Sequence, residues 1–243
     1  AADGHTLLLH HIGMATMPTL VRNIPFKVDS DFEYLGMIND VPMTLIARPT
    51  LPANNFKELQ AWINQNKGKI NLGNAGVGSA SHLCGLMLMN ALGVRFNEIP
   101  YKGTGPALND LLGGQVDLLC DQTSGTVPSI KAGKIQAYAA AGRTRIPSLP
   151  DMPAIAEAGV QGMEINISFG LYAPKGTPRP VLDKLSAALQ AAVVDPEVRQ
   201  RLEAMGISAV PVELARPEAL RAHLKNEIDT LGGLLVKAGV KPE

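Results

Sequence analysis

Apolar and polar positions along this chain switch repeatedly between a period of two and a period near 3.6, which predicts strands alternating with helices. Residues 6–10 alternate loosely and suit a strand, and a proline-containing connection follows. Residues 32–38 and 42–47 then read as two separate apolar strands, the second closed by Arg48-Pro49. Over 55–67, Phe56, Leu59, Trp62 and Ile63 recur at helical spacing, and Asn55 stands where an N-cap belongs. On such an amphipathic helix the single tryptophan, Trp62, is a core residue before it is a ligand platform. A short strand at 69–72 leads into the glycine-rich turn Gly73-Asn74-Ala75-Gly76-Val77-Gly78. Residues 79–92, rich in Leu, Met and Ala, then form a helix.

The alternation continues to the end of the chain. Strands are expected at 94–101, 115–120, 134–141 and 164–172. Helices are expected at 105–112, 128–132 and 153–158, the last two stopped by Gly133 and Gly159. Thr177 before Pro178 gives the cap-then-proline start of a helix running through Val194, and two more helices occupy 196–205 and 217–238. Alternation this strict predicts a mostly parallel sheet covered by helices on both faces.

At 243 residues the chain can hold one large or two modest α/β domains, and its 46% hydrophobic content supplies their cores. The 22 basic and 22 acidic side chains balance, and aromatic residues make up only 4%. Phosphate backbones demand a basic excess and single strands a stacking surface, so no nucleic-acid partner is expected. No apolar run approaches the roughly 20 residues that span a bilayer, so no direct membrane insertion is expected. No basic region precedes an apolar segment at the start, so no signal peptide is read. Cys84 and Cys120 are spaced like neither a zinc site nor a redox CxxC pair. A disulfide formed in an oxidising compartment is one reading; two separate buried small residues is the favoured one. His10 and His11, as neighbours on a strand, face opposite sides and do not make a metal cluster with His5. Neither a metal nor a cofactor is expected.

Three spots could carry chemistry. The first is Gly76-Val77-Gly78-Ser79-Ala80-Ser81-His82, a strand-to-helix junction. Glycines let its backbone turn sharply, the amides of the helix start point outward, and Ser79 and Ser81 add hydroxyls. Such a corner suits an anion that is held rather than transformed. It is not a dinucleotide fingerprint, because Ser81 stands where a third glycine is needed. It lacks the lysine of a phosphate loop, and it does not match a G-x-S-x-G nucleophile elbow. An ordinary tight turn capped by Ser79 is the competing structural reading.

The second spot is Pro100-Tyr101-Lys102-Gly103-Thr104-Gly105-Pro106, which also joins a strand to a helix, with Thr104 at the expected cap. Ligands bind at such carboxyl ends of strands in open α/β sheets, and two adjacent turns can grip one small molecule. The third is Asp121, directly after the apolar strand 116–120, where it either meets a ligand or caps the next helix. Asp117 reads as structural. Catalysis has little support: no nucleophile–histidine–acid arrangement is legible, and His82 is the one histidine beside a glycine-rich turn.

Taken in order, several segments together resemble one family. They are Ala2-Asp3-Gly4-His5-Thr6-Leu7-Leu8, Gly76-Val77-Gly78-Ser79-Ala80-Ser81-His82-Leu83, Pro100-Tyr101-Lys102-Gly103 and Pro106-Ala107-Leu108-Asn109-Asp110-Leu111-Leu112. Further on come Gly114-Gln115-Val116-Asp117, Ile130-Lys131-Ala132-Gly133-Lys134, Leu149-Pro150-Asp151-Met152-Pro153, Phe169-Gly170-Leu171-Tyr172-Ala173-Pro174, and Asp195-Pro196 ahead of Arg201-Leu202. The chain resembles the tripartite tricarboxylate transporter receptors, the TctC or Bug-type periplasmic solute-binding proteins. The resemblance implies a type II periplasmic binding protein fold with two α/β lobes of parallel-rich sheets. Its crossing strands would be 42–47 and 165–173. Lobe one would be residues 1–46 with 168–243, and lobe two residues 47–167. It further implies a small carboxylate or amino-acid-like solute held in the interdomain cleft, with membrane transporter subunits as partners in the periplasm. By motif, the solute would meet Gly78, Ser79, Ala80, Ser81, Tyr101, Lys102, Gly103, Thr104 and Asp121, with Phe169 as a cleft wall or hinge packing. Family members carry an opening βαβ segment ahead of the A-D-G-x-T-L-L stretch. Lobe one of this chain is expected to lack it and to expose an unpaired sheet edge. A ligand-presenting sensor is an alternative on the same fold. An enzyme using His82 or Asp121 as a base is the alternative from another class.

Overall fold

The computed structural model describes residues 1–237 and opens with strand β1 (Leu8–His10), inside the strand expected at 6–10, followed by helix α1 (Gly13–Leu20), where the pattern predicts only a connection. Pro18 inside α1 hides the helix from a pattern search, because proline removes a helical backbone bond. The helix forms because Met14, Ala15 and Leu20 are buried and its side packs on helix α8 (Pro217–Lys237). Residue 238, the expected end of α8, lies outside the described residues. His11 holds the start of α1: its Nδ1 accepts the Gly13 amide at 3.0 Å. His10 Nδ1 meets the His11 carbonyl, and the two rings lie 4.9 Å apart. The neighbours therefore turn together instead of facing opposite sides, because His11 is already past the strand.

Residues Phe32–Ala47 form one continuous strand, β2. The expected break at 39–41 does not occur, because Asn39 and Asp40 interrupt the apolar run but keep the ladder. They pair antiparallel with the two-residue strand β8 (Ser208–Ala209). The chain divides into two compact units. One holds Ala1–Asp40, Ile167–Glu203 and the residues from Ile207; the other holds Val41–Asn166 with Ala204–Gly206.

In the first unit, β1 pairs antiparallel with β7 (Asn166–Pro174), matching Leu8 to Tyr172. Helices α6 (Arg179–Val194), α7 (Pro196–Ala204) and α8 complete it. Its core gathers Met14, Tyr34, Met37, Tyr172, Leu189 and Leu220. Thr177 does not cap α6; its hydroxyl donates to the Pro174 carbonyl at 2.8 Å, and Pro178 takes the cap position.

In the second unit the order is α2 (Phe56–Gln65), β3 (Asn71–Asn74), α3 (Ala80–Leu92), β4 (Asn97–Pro100), α4 (Thr104–Leu112), β5 (Leu118–Gln122), α5 (Thr123–Lys131) and β6 (Gln136–Ala140). Asn55 caps α2 as expected, its side chain accepting the Glu58 amide at 3.0 Å. Strand β3 pairs parallel with both β4 and β5, whereas β2 runs antiparallel to β5 and β6. The sheet is therefore mixed rather than mostly parallel. Residues 153–158 make successive turns and no helix, because the backbone there is claimed from outside. The Ala140 amide donates to the Pro153 carbonyl at 2.9 Å and the Ile155 amide to the Ala140 carbonyl at 2.8 Å. Asp117 is structural: its carboxylate accepts from Arg48 Nε and from the Asn71 amide, each at 2.9 Å.

The expectation of two separate cysteines is overturned. Cys84 on α3 and Cys120 on β5 form a disulfide, with Cα atoms 5.9 Å apart and both residues fully buried. Linear spacing could not show this, because the pairing depends on α3 lying across β5. The bridge closes a loop of 36 residues. Loop entropy alone then gives it about 3 to 4 kcal/mol of stabilisation. Reducing it should lower the urea-unfolding free energy by about that amount, and a Cys84→Ala/Cys120→Ala variant should show no further response to dithiothreitol. Burial, helped by His10, holds the His11 imidazole down at about 4 against an ordinary 6.5. The unfolded chain then binds the proton first, so stability should fall as pH drops from about 6.5 toward 4. His11→Asn keeps a capping acceptor without titrating, and its unfolding free energy should be flatter over that interval.

Candidate functional site

The corner forms where three strand ends meet two helix starts, all in the second unit. Leaving β3, the chain passes through Gly76 and Gly78 at φ of 116° and 76°, backbone states that side-chain-bearing residues rarely adopt. Ser79 then caps α3: its hydroxyl accepts the His82 amide at 3.1 Å. Leaving β4, Gly103 at φ 107° takes the cap of α4. Thr104, expected at that cap, is instead the first helical residue. The two turns are bonded to each other. The Tyr101 amide donates to the Asn74 carbonyl at 2.9 Å and the Gly103 amide to the Ala75 carbonyl at 3.1 Å. A Cβ on Gly76 would come within 3.1 Å of the Tyr101 carbonyl oxygen, so this contact needs glycine.

Not all the donors expected at the first turn are available. The Gly78 amide is taken by His82 Nδ1 at 3.1 Å, and the Ser79 amide by the Gly76 carbonyl at 3.1 Å. The Ser81 hydroxyl is also occupied, donating to the Cys120 carbonyl at 2.6 Å. The amides of Ala80 and Ser81 stand at the first turn of a 13-residue helix. Neither has a hydrogen-bond partner among the described residues. The start of a helix carries partial positive charge, so these two N–H groups suit an anion.

His82 was a residue of little promise in the sequence, yet it shapes the corner. Because Nδ1 accepts from Gly78, the ring proton resides on Nε2, which lies 3.6 Å from a Glu98 oxygen. The ring is buried and fixes the glycine turn. The available signal was the four-residue spacing from Gly78 to His82, one helical turn. Ser81 and Cys84 likewise share a helical face, and both reach Cys120.

On the second turn, the Tyr101 hydroxyl donates to Asp110 at 2.7 Å, and burial together with that carboxylate pushes the phenol up to about 12. Lys102 is exposed. Asp121 lies within β5, one residue beyond the disulfide, and is 2% exposed. Its backbone carbonyl accepts the Thr44 hydroxyl at 3.1 Å, and its Oδ1 accepts the Gln122 amide at 2.7 Å. Its Oδ2 is closed off from solvent and has no partner among the described residues. Burial pushes the carboxyl up to about 6, opposed by the Gln122 amide and the Thr104 side chain. Phe169 belongs to the first unit, on β7, half-buried with its ring edge-on to His11 at 5.4 Å.

An open groove of about 740 Å³ lies elsewhere, in the first unit between α6 and α8. Two of its cations have local partners, Arg179 in Asp183 at 2.9 Å and Arg221 in the Tyr34 ring at 4.6 Å. Volume alone does not make it the better site. Among the described residues no helix is long and apolar enough to cross a membrane.

Residues 1–223 match the model of the tripartite tricarboxylate transporter family receptor. The chain is 42% identical over 237 residues to the UPF0065 protein in the TAR-I ttuE-ttuC' intergenic region of Agrobacterium vitis, covering 98% of this chain and 68% of that protein. Its structure superposes on that of the periplasmic binding protein BugD with a TM-score of 0.93 at 48% identity, covering 100% of this chain and 81% of BugD. MatC from Rhodopseudomonas palustris, solved with bound malate, matches with a TM-score of 0.88 at 35% identity, over 97% of this chain and 80% of MatC. With an α/β mixed-sheet fold in common with these solute-binding proteins and a family match over most of its length, the chain belongs to the tripartite tricarboxylate transporter receptor family.

Proposed function

We propose that this protein is a periplasmic receptor that captures a small carboxylate-bearing solute without transforming it and passes it to the membrane subunits of a tripartite tricarboxylate-type transporter. The observation that carries the reading is the pair of unpartnered amides, Ala80 and Ser81, at the start of α3. The malate bound to MatC supplies the ligand class. On this reading the solute's carboxylate rests on those amides and on the Ser79 hydroxyl. Gly78 and Gly103 give it close approach to the backbone, and Lys102, Thr104 and Asp121 border it. Tyr101 acts through its backbone and through Asp110 rather than by a free hydroxyl. The assignment as a binding protein rather than an enzyme is supported by His82, whose Nδ1 is spent on the turn and leaves no free base beside it. A periplasmic setting is supported by the buried disulfide, a bond of oxidising compartments. The lobes we propose are residues 1–46 with 168–243 and residues 47–167; the contact-defined units divide instead at 40/41 and 166/167 and place Ala204–Gly206 with the second unit.

The test is a thermal-shift panel of malate, adipate, aspartate and benzoate, with at least one acid expected to raise the melting temperature. Ala80→Pro gives a sharper check. Ala80 is the first helical residue, and Ser79 before it has ψ of 161°, so proline fits the local backbone while deleting one amide donor. Loss of a hydrogen bond to a charged group, about 1.5 to 3 kcal/mol, should weaken binding roughly ten- to a hundredfold. Retention of full affinity by a folded Ala80→Pro protein would remove α3 from the site.

A further inference from the structure

Asp121 poses a problem that the capture of an anion makes worse. Its side chain is shut away from water, one oxygen accepts the Gln122 amide, and the other, Oδ2, has no partner among the described residues. An ionised carboxylate in such surroundings needs donors on both oxygens. An incoming carboxylate brings no donor of its own and adds a second negative charge nearby. Two like charges at one buried site cannot both persist, and the standard relief is for one carboxyl to keep a proton. The Thr104 side chain, at the first residue of α4, is the polar neighbour of this carboxyl. The adjoining residue, Cys120, is bonded to Ser81 of α3. Asp121 therefore stands between the two helix starts.

We propose that Asp121 takes up one proton from solvent when an anionic guest docks on the α3 and α4 starts, so that capture of a carboxylate is linked to proton binding. This deepens, and rests on, the reading of the corner as a carboxylate site. One O–H bond forms on the Asp121 carboxylate as one breaks in the hydronium or buffer acid that gives up the proton, and the guest anion itself is unchanged. Burial already holds the free carboxyl at about 6, so around neutral pH it is mostly ionised and must gain the proton on binding. Other titratable groups on the elements around β5 are committed or distant in chemistry. His82 on α3 is bonded to Gly78 and faces Glu98, Asp110 on α4 accepts from Tyr101, and Arg48 after β2 is paired with Asp117. Lys102 leads into α4 and Lys131 ends α5. Burial raises the Asp121 carboxyl, and the Gln122 amide and the Thr104 side chain act against that rise.

The experiment is titration calorimetry of the whole chain with malate and with adipate from pH 6.5 to 8.5, where both acids are already ionised. It is run in two buffers of different ionisation heat. The expected result is uptake approaching one proton per guest and a dissociation constant rising between about ten- and a hundredfold over those two units. Asp121→Asn retains a donor but cannot titrate. Its affinity should be flat with pH and higher than that of the natural protein at pH 8.5. Binding without proton uptake sinks the inference and leaves the proposed function standing. So does an Asp121→Asn protein that keeps the pH slope, since the proton would then belong to another group such as His82. If neither acid nor any member of the thermal-shift panel binds at any pH, the function and this inference fall together. Should Asp121→Asn not fold, the proton count on the natural protein decides the matter.

Discussion

The corner depends on one joint, the place where α3 is fastened across β5. Cys84 and Cys120 are bonded through sulfur, and one turn earlier the Ser81 hydroxyl donates to the Cys120 carbonyl at 2.6 Å. A covalent link and a polar one, three residues apart on the helix, fix both its distance from the strand and its rotation about its own axis. The direction in which the Ala80 and Ser81 amides point follows from that rotation. Asp121, next to Cys120, inherits its position from the same joint. Two sites of chemistry thus share one anchor, and neither can drift without the other.

On the proposed reading, what the anchor holds is a site made of dipoles more than of ions. Lys102 is the only formally charged residue in the turns 73–79 and 101–104. On that reading the remaining attraction for an anion comes from peptide groups whose orientation is set by folding. Such groups cannot swing away into solvent as a long basic side chain can, and they lose little freedom when a guest arrives. The bond from His82 to Gly78 adds to this rigidity. It turns a glycine pair, locally the loosest part of the chain, into a fixed frame.

Much of this was visible in the residues themselves. The capping role of Asn55, the glycine turns after β3 and β4, and the position of Asp121 at a strand's end all follow from local chemistry, and local chemistry is what a sequence displays. The α1 helix was hidden by Pro18, since its stability comes from packing on α8 and not from its own pattern. The single span of β2 was hidden by Asn39 and Asp40, which are polar yet paired with β8. The disulfide, the Ser81 bond and the lone oxygen of Asp121 join residues 36 or more positions apart or depend on what such pairings bury. No local period encodes them. The occupied hydroxyl of Ser81 belongs to the same class, whereas the Gly78 amide is claimed by His82, one helical turn away.

Gly76 and Gly78 also determine where this corner tolerates change. At φ of 116° and 76° any other residue would be strained, and at Gly76 a Cβ would press on the Tyr101 carbonyl. Val77 between them is 45% exposed, and Lys102 on the facing turn is exposed as well. Mutational drift at those two side chains can alter the surface a visitor meets while the glycine frame beneath stays in register. The conformational constraint and the chemical variability of this corner therefore fall on different residues.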